Sequence, residues 1–166
     1  MMPARGKTNE KLKRIITNLS RKYDSPVFDP HVTLLGGIVG EEKKVIKDFE
    51  EFANEFKNIN ISLSRLADSE AYFKCVFANV KKTNAVMSAN KKCRSVFPSV
   101  GNSYMPHLSL IYGCYTKKTR NDIKKQLGNE VNALLFPVGS LCLYDTSGEI
   151  AYWKNIKSIE VKKLDR

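Results

Sequence analysis

Residues 29–37 read DPHVTLLGG, and residues 105–113 read MPHLSLIYG. Both stretches contain one pattern, in which proline is followed by histidine, an aliphatic residue, a hydroxyl residue and leucine. The chain has 166 residues and only two histidines, His31 and His107, and this repeat contains both of them. An internal repeat of this kind indicates a duplicated structural unit. The two stretches therefore bear on the fold and on the candidate site at once.

The segments around the two motifs follow the same order in each half of the chain. Apolar periodicity of about 3.6 predicts helices over residues 8–22, 41–57, 83–97 and 117–127. Apolar runs bounded by turn residues predict strands over residues 31–37, 59–67, 72–80, 107–112, 134–144 and 150–161. We therefore expect an α+β fold that is bilobal and duplicated, with two antiparallel sheets facing a central cleft and the helices on the outside.

The length and hydropathy of the chain predict one domain without a membrane span. We expect residues 1–166 to form this domain, with pseudo-symmetric lobes at about 1–80 and 81–166 and room for strand exchange between them. The longest apolar stretches, such as 133–138, are too short to cross a bilayer, and the N-terminal residues lack the apolar region of a signal peptide. We expect an intracellular, cytoplasmic monomer that does not act at a membrane.

Composition favours a phosphate-bearing ligand and argues against a metal site. The 28 Lys and Arg residues exceed the 17 Asp and Glu residues, which gives a net charge of +11. Such a charge attracts polyanions, although paired lysines are also typical of solvated helix faces. None of the four cysteines forms a C-x-x-C pair, and both histidines belong to the repeat, so we predict no zinc site and no cofactor.

The repeated motif has the groups that phosphodiester chemistry requires. Side chains two residues apart on a strand point to one face, so His31 would lie beside Thr33, and His107 beside Ser109. One neutral imidazole can accept a proton from a nucleophile while the other, as imidazolium, protonates the leaving oxygen. The hydroxyls can hydrogen-bond the non-bridging phosphate oxygens. A serine or cysteine nucleophile is the rival interpretation, and its G-x-S-x-G elbow is absent.

Four stretches give the chain a resemblance to a known family. They read PHVTLL at 30–35, YFKCVF at 72–77, YMPHLSLIY at 104–112, and LCLYDT at 141–146 with Trp153 after it. In these stretches and their order, the chain resembles the two-histidine (2H) phosphoesterase superfamily. Within that superfamily it is most similar to the cyclic phosphodiesterase family of plants and fungi.

The resemblance implies a metal-independent enzyme that opens small cyclic phosphodiesters. The implied substrates are ADP-ribose 1″,2″-cyclic phosphate, a by-product of tRNA splicing, and nucleoside 2′,3′-cyclic phosphates, which would yield 2′-phosphates. By the same resemblance His31 and His107 are catalytic, Thr33 and Ser109 bind phosphate, and Tyr112 matches a tyrosine close to the attacking water. We assign His107 as the base and His31 as the acid.

Three further aromatic residues are candidates for stacking on a nucleobase. They are Tyr72 and Phe73 in the second stretch and Tyr104 before the second motif. If residues 72–80 form a strand, Tyr72 and Phe73 point to opposite faces, so only one of them would face the cleft.

The beginning of the chain departs from the pattern of the family. Family members begin with a short strand of the type aromatic–aliphatic–Trp, and the match here starts only at about Pro3. We therefore expect the first strand to be missing, so that the lobe is less stable or its open edge is covered by a partner chain or by another strand. Plant members also carry a cysteine shortly after the one that matches Cys93. This chain lacks it, so no disulfide is expected.

Two alternative functions remain open on the sequence. One keeps the same site but hydrolyses 2′–5′ linked or cyclic oligonucleotides, as other branches of the superfamily do. The other is a catalytically silent module that binds RNA through the cleft and its lysines. RNA binding should weaken steeply with salt, whereas turnover of a mononucleotide should not.

Overall fold

A computed structural model describes residues 1–101 and 103–161 of the chain. Within these residues the four predicted helices are present, each shifted by no more than a few residues from its predicted bounds. They are α1 Gly6–Tyr23, α2 Glu42–Asn54, α3 Asn84–Val96 and α4 Lys117–Leu127. The side chains of Thr83 and Thr116 cap α3 and α4 by accepting hydrogen bonds from the backbone N–H groups of Val86 and Thr119.

The described residues also form eight strands and two 3₁₀ turns. The strands are β1 Met2–Pro3, β2 His31–Val32, β3 Asn60–Asp68, β4 Val76–Val80, β5 His107–Ile111, β6 Leu135–Pro137, β7 Ser140–Asp145 and β8 Lys154–Glu160. The turns cover Tyr72–Lys74 and Ile150–Tyr152. The predicted α+β class with two antiparallel sheets is therefore confirmed.

The strands are shared unequally between the two sheets. The larger sheet has six strands in the order β1-β2-β5-β4-β3-β6, and the smaller consists of β7 and β8. The motif strands β2 and β5 are direct antiparallel neighbours, with Val32 opposite Leu108. A duplicated unit would place one motif in each sheet, whereas both motif strands belong to the larger sheet. Pairing the two motif strands with each other brings their histidines to one site without any docking of separate sheets.

The first motif strand is shorter than predicted. Only His31–Val32 belong to the sheet, whereas the sequence pattern extends to residue 37. At the two residues after Val32, side chains and not a partner strand hold the backbone. The hydroxyl of Tyr104 donates to the carbonyl of Thr33 at 3.4 Å, and Asn90 Nδ2 donates to the carbonyl of Leu34 at 2.7 Å.

Two other predicted strands are interrupted. The run 72–80 begins as the 3₁₀ turn Tyr72–Lys74 and becomes a strand only at Val76. The run 134–144 is divided between two sheets, because β6 ends at Pro137 and the chain enters the smaller sheet at Ser140. Pairing with the larger sheet ends after Val138, whose N–H donates to the carbonyl of Ile59 at 2.8 Å.

The edge next to the first motif is covered rather than open. In β1, Met2 pairs with Val32 and Pro3 pairs with His31. The Met2 side chain is fully buried, and the N–H of Ala4 continues the contact by donating to the carbonyl of Pro30 at 3.2 Å. The first strand is short but present, so the expectation that it is missing is wrong; the edge is covered by a strand, which is one of the expected alternatives.

The helices and the smaller sheet pack around the larger sheet. Helix α1 contacts β5, α4 contacts β3 and β4, and α2 contacts β7 and β8. One large apolar cluster lies between these elements, and a small second cluster joins Ile16, Phe28 and Tyr112 beside the motifs. In the described ranges, no helix has both the length and the apolar character that a bilayer span requires. The cleft between the two sheets contains the motif side chains.

Candidate active site

Residues of both motifs line one cleft of about 890 Å³. Its walls include His31, Thr33, His107 and Ser109, together with Tyr112 at the end of β5. The four motif residues that the sequence singles out therefore line one cavity. Further walls come from the 3₁₀ turn Tyr72–Lys74, from β7 and from Trp153.

The two imidazoles are held by the same backbone contact. His31 Nδ1 lies 2.7 Å from the carbonyl oxygen of Asp29, and His107 Nδ1 lies 2.8 Å from that of Met105. A carbonyl oxygen can only accept a hydrogen bond, so Nδ1 carries a proton in each ring. In the neutral imidazole Nε2 then has the lone pair. Each ring is therefore set to accept a proton at Nε2, or to donate one there once it is charged.

Burial in the cleft disfavours the charged form of both imidazoles in the free protein. Loss of hydration lowers the pKa of His31 to about 4, with smaller contributions from the N-terminal ammonium and His107 and an opposing one from the Asp29 carbonyl. Loss of hydration also lowers the pKa of His107, and the positive charge of Lys74 lowers it further. A bound phosphate anion would reverse part of this shift, because it favours the charged imidazolium.

The two motif hydroxyls differ in what they contact. Thr33 follows the end of β2 and lines the cleft. Ser109 is buried in β5, and its Oγ donates a hydrogen bond of 2.8 Å to the carbonyl of Phe73. A hydroxyl has a single proton to donate. In this arrangement Ser109 can accept a hydrogen bond from a ligand, but it must rotate away from Phe73 to donate one to a phosphate oxygen.

The predicted aromatic residues divide into two groups. Tyr72 and Phe73 both line the cleft, so the expectation that only one of them faces it is wrong. The 3₁₀ turn is the reason, since its residues do not alternate between faces as those of a strand do. Tyr104 is not among the cleft-lining residues. Its hydroxyl contacts the backbone of Thr33, and its ring packs against the core.

Tyr112 has a protected place in the wall of the cleft. Its ring stacks on Phe28 with centroids 3.8 Å apart and planes 13° apart, and its side chain is buried. Burial raises the pKa of the Tyr112 hydroxyl, so this group remains protonated under ordinary conditions. It can donate or accept a hydrogen bond, but it is not an anionic base.

Two residues of the cleft were not singled out as site residues from the sequence. Lys74 lies at the end of the 3₁₀ turn, and its signal was a lysine within the otherwise apolar run YFKCVF. Trp153 lies 5.5 Å from Phe73 between ring centroids, and its Nε1–H is buried without a partner in the described residues. An unpaired buried donor indicates a place for an acceptor on a ligand or a water molecule.

The described residues contain no group of three or more His, Cys, Asp or Glu side chains arranged to hold a metal ion.

Comparison with known proteins places this cleft in a family. The family model described as "Cyclic phosphodiesterase-like protein" matches residues 1–161. The chain belongs to this family. It is also 27% identical over 159 residues to "Cyclic phosphodiesterase" of Arabidopsis thaliana, a match that covers 93% of this chain and 88% of the relative. The family predicted from the four stretches is therefore confirmed, and membership supports a cyclic phosphodiesterase function.

Proposed function

We propose that this protein hydrolyses small cyclic phosphodiesters, namely ADP-ribose 1″,2″-cyclic phosphate and nucleoside 2′,3′-cyclic phosphates, by acid–base catalysis with two histidines. The observation that carries the proposal is the matched pair of imidazoles. Both line one cleft, and both have Nδ1 fixed on a backbone carbonyl, which leaves Nε2 as the reactive nitrogen. Hydrolysis of one phosphate ester bond by water requires a base that activates the water and an acid that protonates the leaving oxygen.

In the proposed mechanism, His107 removes a proton from a water molecule as the water oxygen attacks phosphorus. The bond from phosphorus to the opposite ring oxygen breaks, and His31 gives its proton to that oxygen. The phosphate remains attached to the other ring oxygen, which for a 2′,3′-cyclic nucleotide gives the 2′-phosphate. Thr33 would orient the non-bridging oxygens, Ser109 would do so once its hydroxyl rotates away from the Phe73 carbonyl, and Tyr112 would position the water. The imidazoles exchange protonation states, and a return transfer through solvent restores them.

The assignment of His31 as the acid and His107 as the base requires a change in their pKa values when the substrate binds. Burial lowers the pKa of His31 to about 4 and also lowers the pKa of His107, so neither ring holds a proton readily in the free protein. For His31 to act as the acid, the bound phosphate must raise its pKa above that of His107. Lys74 acts in the same direction, because its charge keeps His107 neutral. The reverse assignment, with His31 as base, is the alternative that substrate-bound titrations decide.

We expect both histidines to be essential, and activity to be highest in mildly acidic solution. Replacing either His31 or His107 by Ala should lower turnover by at least about a hundredfold, the low end for loss of an acid or base. A plot of kcat/KM against pH should be a bell whose maximum lies below about 6.5, since both free pKa values are depressed. EDTA should have no effect. A single-histidine variant with most of its activity would contradict the mechanism.

The test is a substrate panel with phosphorus NMR of the products. The panel contains the four nucleoside 2′,3′-cyclic phosphates, ADP-ribose 1″,2″-cyclic phosphate and short 2′–5′ linked oligonucleotides. Cyclic nucleotides should be opened to the 2′-phosphate alone, because one acid and one base across a cleft admit one in-line geometry. Mainly 3′-phosphate, or a mixture, would show that the proposed orientation is wrong. Preferential cleavage of the oligonucleotides would support the other branch of the superfamily instead.

A further inference from the structure

Lys74 is a cation inside the cleft that the two motifs do not account for. It ends the 3₁₀ turn Tyr72–Lys74 and is half-buried in the wall that also contains His107 and Ser109. Of the cleft-lining residues in the described part of the chain, it is the one lysine or arginine. None of the ion pairs within residues 1–101 and 103–161 involves its ammonium group.

The position of the ammonium group is tied to His107 through one aromatic ring. Lys74 Nζ lies 6.0 Å from the centroid of the Phe77 ring. The imidazole of His107 packs edge-on against the same ring, with centroids 5.2 Å apart. The charge of Lys74 accordingly lowers the pKa of His107. The charged and titratable neighbours of the other imidazole are different, namely the N-terminal ammonium, Asp29 and His107.

The backbone around Lys74 is fixed by two serine hydroxyls, one of which belongs to the second motif. Ser69 Oγ donates to the carbonyl of Lys74 at 2.6 Å, and Ser109 Oγ donates to the carbonyl of Phe73 at 2.8 Å. The lysine therefore belongs to a turn that one of the motif hydroxyls holds in place. Movement of the side chain is left to its flexible methylene groups.

A cation near the phosphate would favour the hydrolysis step. A cyclic phosphodiester carries one negative charge, and attack by a water molecule that is losing its proton increases the negative charge on the non-bridging oxygens. Donors placed for that charge accelerate the step, and charged donors make the stronger hydrogen bonds. While Ser109 Oγ donates its single proton to the Phe73 carbonyl, it cannot donate to a phosphate oxygen, and Lys74 in the same cleft can supply a charged donor instead.

We propose that the ammonium group of Lys74 binds a non-bridging oxygen of the substrate phosphate and stabilises the charge that develops there. This inference rests on the proposed function, because it assigns a further phosphate-binding residue to the same reaction. The same charge disfavours protonation of His107 and so keeps that imidazole available as the base.

The test compares Lys74→Gln, Lys74→Arg and, as a matched control, Lys118→Gln, which alters an exposed lysine of α4 outside the cleft. The substrate is 2′,3′-cyclic CMP, and circular dichroism melting first verifies that each variant is folded. Lys74→Gln should lower kcat by about ten- to a hundredfold, somewhat below the loss of a fully buried oxyanion donor. Lys74→Arg should keep at least about a third of wild-type activity, and Lys118→Gln should match the wild type.

An NMR titration of the His107 ring distinguishes an electrostatic role of Lys74 from a merely structural one, because only the former changes the pKa of His107. The ring is assigned by its absence in His107→Gln. Its pKa should rise in Lys74→Gln and remain near the wild-type value in Lys74→Arg. Activity of Lys74→Gln within twofold of wild type, or equal losses in both Lys74 variants with no change in the His107 titration, overturns the proposal. If the wild-type protein itself does not hydrolyse any cyclic phosphodiester, the proposed function fails and the role of Lys74 fails with it.

Discussion

The carbonyl groups of Asp29 and Met105 have the same relation to the two catalytic candidates. Each lies two residues before a histidine, and each accepts a hydrogen bond from Nδ1 of that histidine. The residue in between is proline in both motifs, which restricts the backbone at that point. The repeated sequence therefore specifies the tautomer of each imidazole as well as its place on the sheet. Proline belonged to the repeat from the start, but its effect on the tautomer was visible only in the structure.

The hydrogen-bond partners of other predicted residues could not be foreseen at this scale, because those partners are distant in sequence. The Ser109 hydroxyl is paired with the carbonyl of Phe73, which is 36 residues away in sequence. Tyr104 has its hydroxyl on the backbone of Thr33, 71 residues away. A motif gives the identity of a polar side chain and the face to which it points. It does not give the partner that competes for its proton.

The depressed pKa of His31 predicts a pH dependence of stability. The pKa falls from 6.5 in the unfolded chain to about 4 in the folded protein. Between these values the unfolded state binds the proton more tightly, so lowering the pH destabilises the fold. From pH 7 to pH 5 this residue should remove about 1–2 kcal/mol from the free energy of unfolding, allowing for solvent in the cleft. The window closes near pH 4, where the folded protein is protonated as well.

Urea unfolding at pH 5 and at pH 7 measures this effect. The loss between the two pH values should be smaller in His31→Gln than in the wild type by the amount given above. Carboxyl groups with lowered pKa values, such as Asp68 beside Arg120 and Lys124, are common to both proteins and cancel in the comparison. Parallel pH dependence of the two proteins would show that the His31 imidazole is well hydrated in the folded state.

At the scale of elements, local periodicity predicted helices better than strands. Helix α4 has the predicted bounds Lys117–Leu127, and Gly128 follows it with a positive φ of 51°. The turn at Tyr72–Lys74 was instead interpreted as strand, because YFKCVF is rich in residues that favour strands. Its shape depends on distant groups. Gly113 N–H and Ser109 Oγ donate to the carbonyls of Tyr72 and Phe73, and no local pattern contains this information.

Strand β1 gives a prediction about how the first motif is held. Met2 is fully buried against the core, and its backbone pairs with Val32, next to His31. Replacing Met2 by Ala should lower the free energy of unfolding by about 2–3 kcal/mol, the lower part of the range for buried methionine. The KM for a cyclic nucleotide should rise as well, since the strand that carries His31 loses packing on one side.

The matched control for Met2 is the methionine at position 105. Its side chain is 37% exposed, so Met105→Ala should change the free energy of unfolding by less than about 0.5 kcal/mol. The two variants differ in burial but not in the chemical change. Chemical denaturation gives both values. If Met2→Ala is no less stable than Met105→Ala, β1 does not secure the edge of the larger sheet.

At the scale of the whole molecule, the duplicated pattern predicted which helices and strands are present but not how the strands are divided between the sheets. It identified helices and strands in the right order, and it gave two antiparallel sheets. Equal lobes imply equal sheets, whereas the structure has six strands in one sheet and two in the other. The reason is pairing across the sequence midpoint: β5 lies between β2 and β4, and β6 pairs with β3. Pairing between distant strands depends on the packing of the entire chain.

The distribution of charge gives the last prediction. Most of the net charge of +11 lies outside the cleft. Among the described residues of the cleft wall, Lys74 is the one lysine or arginine. A small substrate with one negative charge should therefore feel the total charge weakly at physiological ionic strength, because charges more than about 8 Å away are largely screened. Raising KCl from 50 to 200 mM should change kcat/KM for 2′,3′-cyclic CMP by no more than about threefold. A single-stranded RNA held through three phosphate contacts would lose more than about tenfold in affinity over the same range.

Stopped assays of turnover and fluorescence anisotropy of labelled RNA, measured in the same buffers, separate the two cases. Salt-insensitive turnover, with no inhibition by RNA at 150 mM KCl, is the result expected of a small-molecule phosphodiesterase. Tight RNA binding that competes with the cyclic nucleotide and weakens steeply with salt would instead identify RNA as the ligand of this cleft.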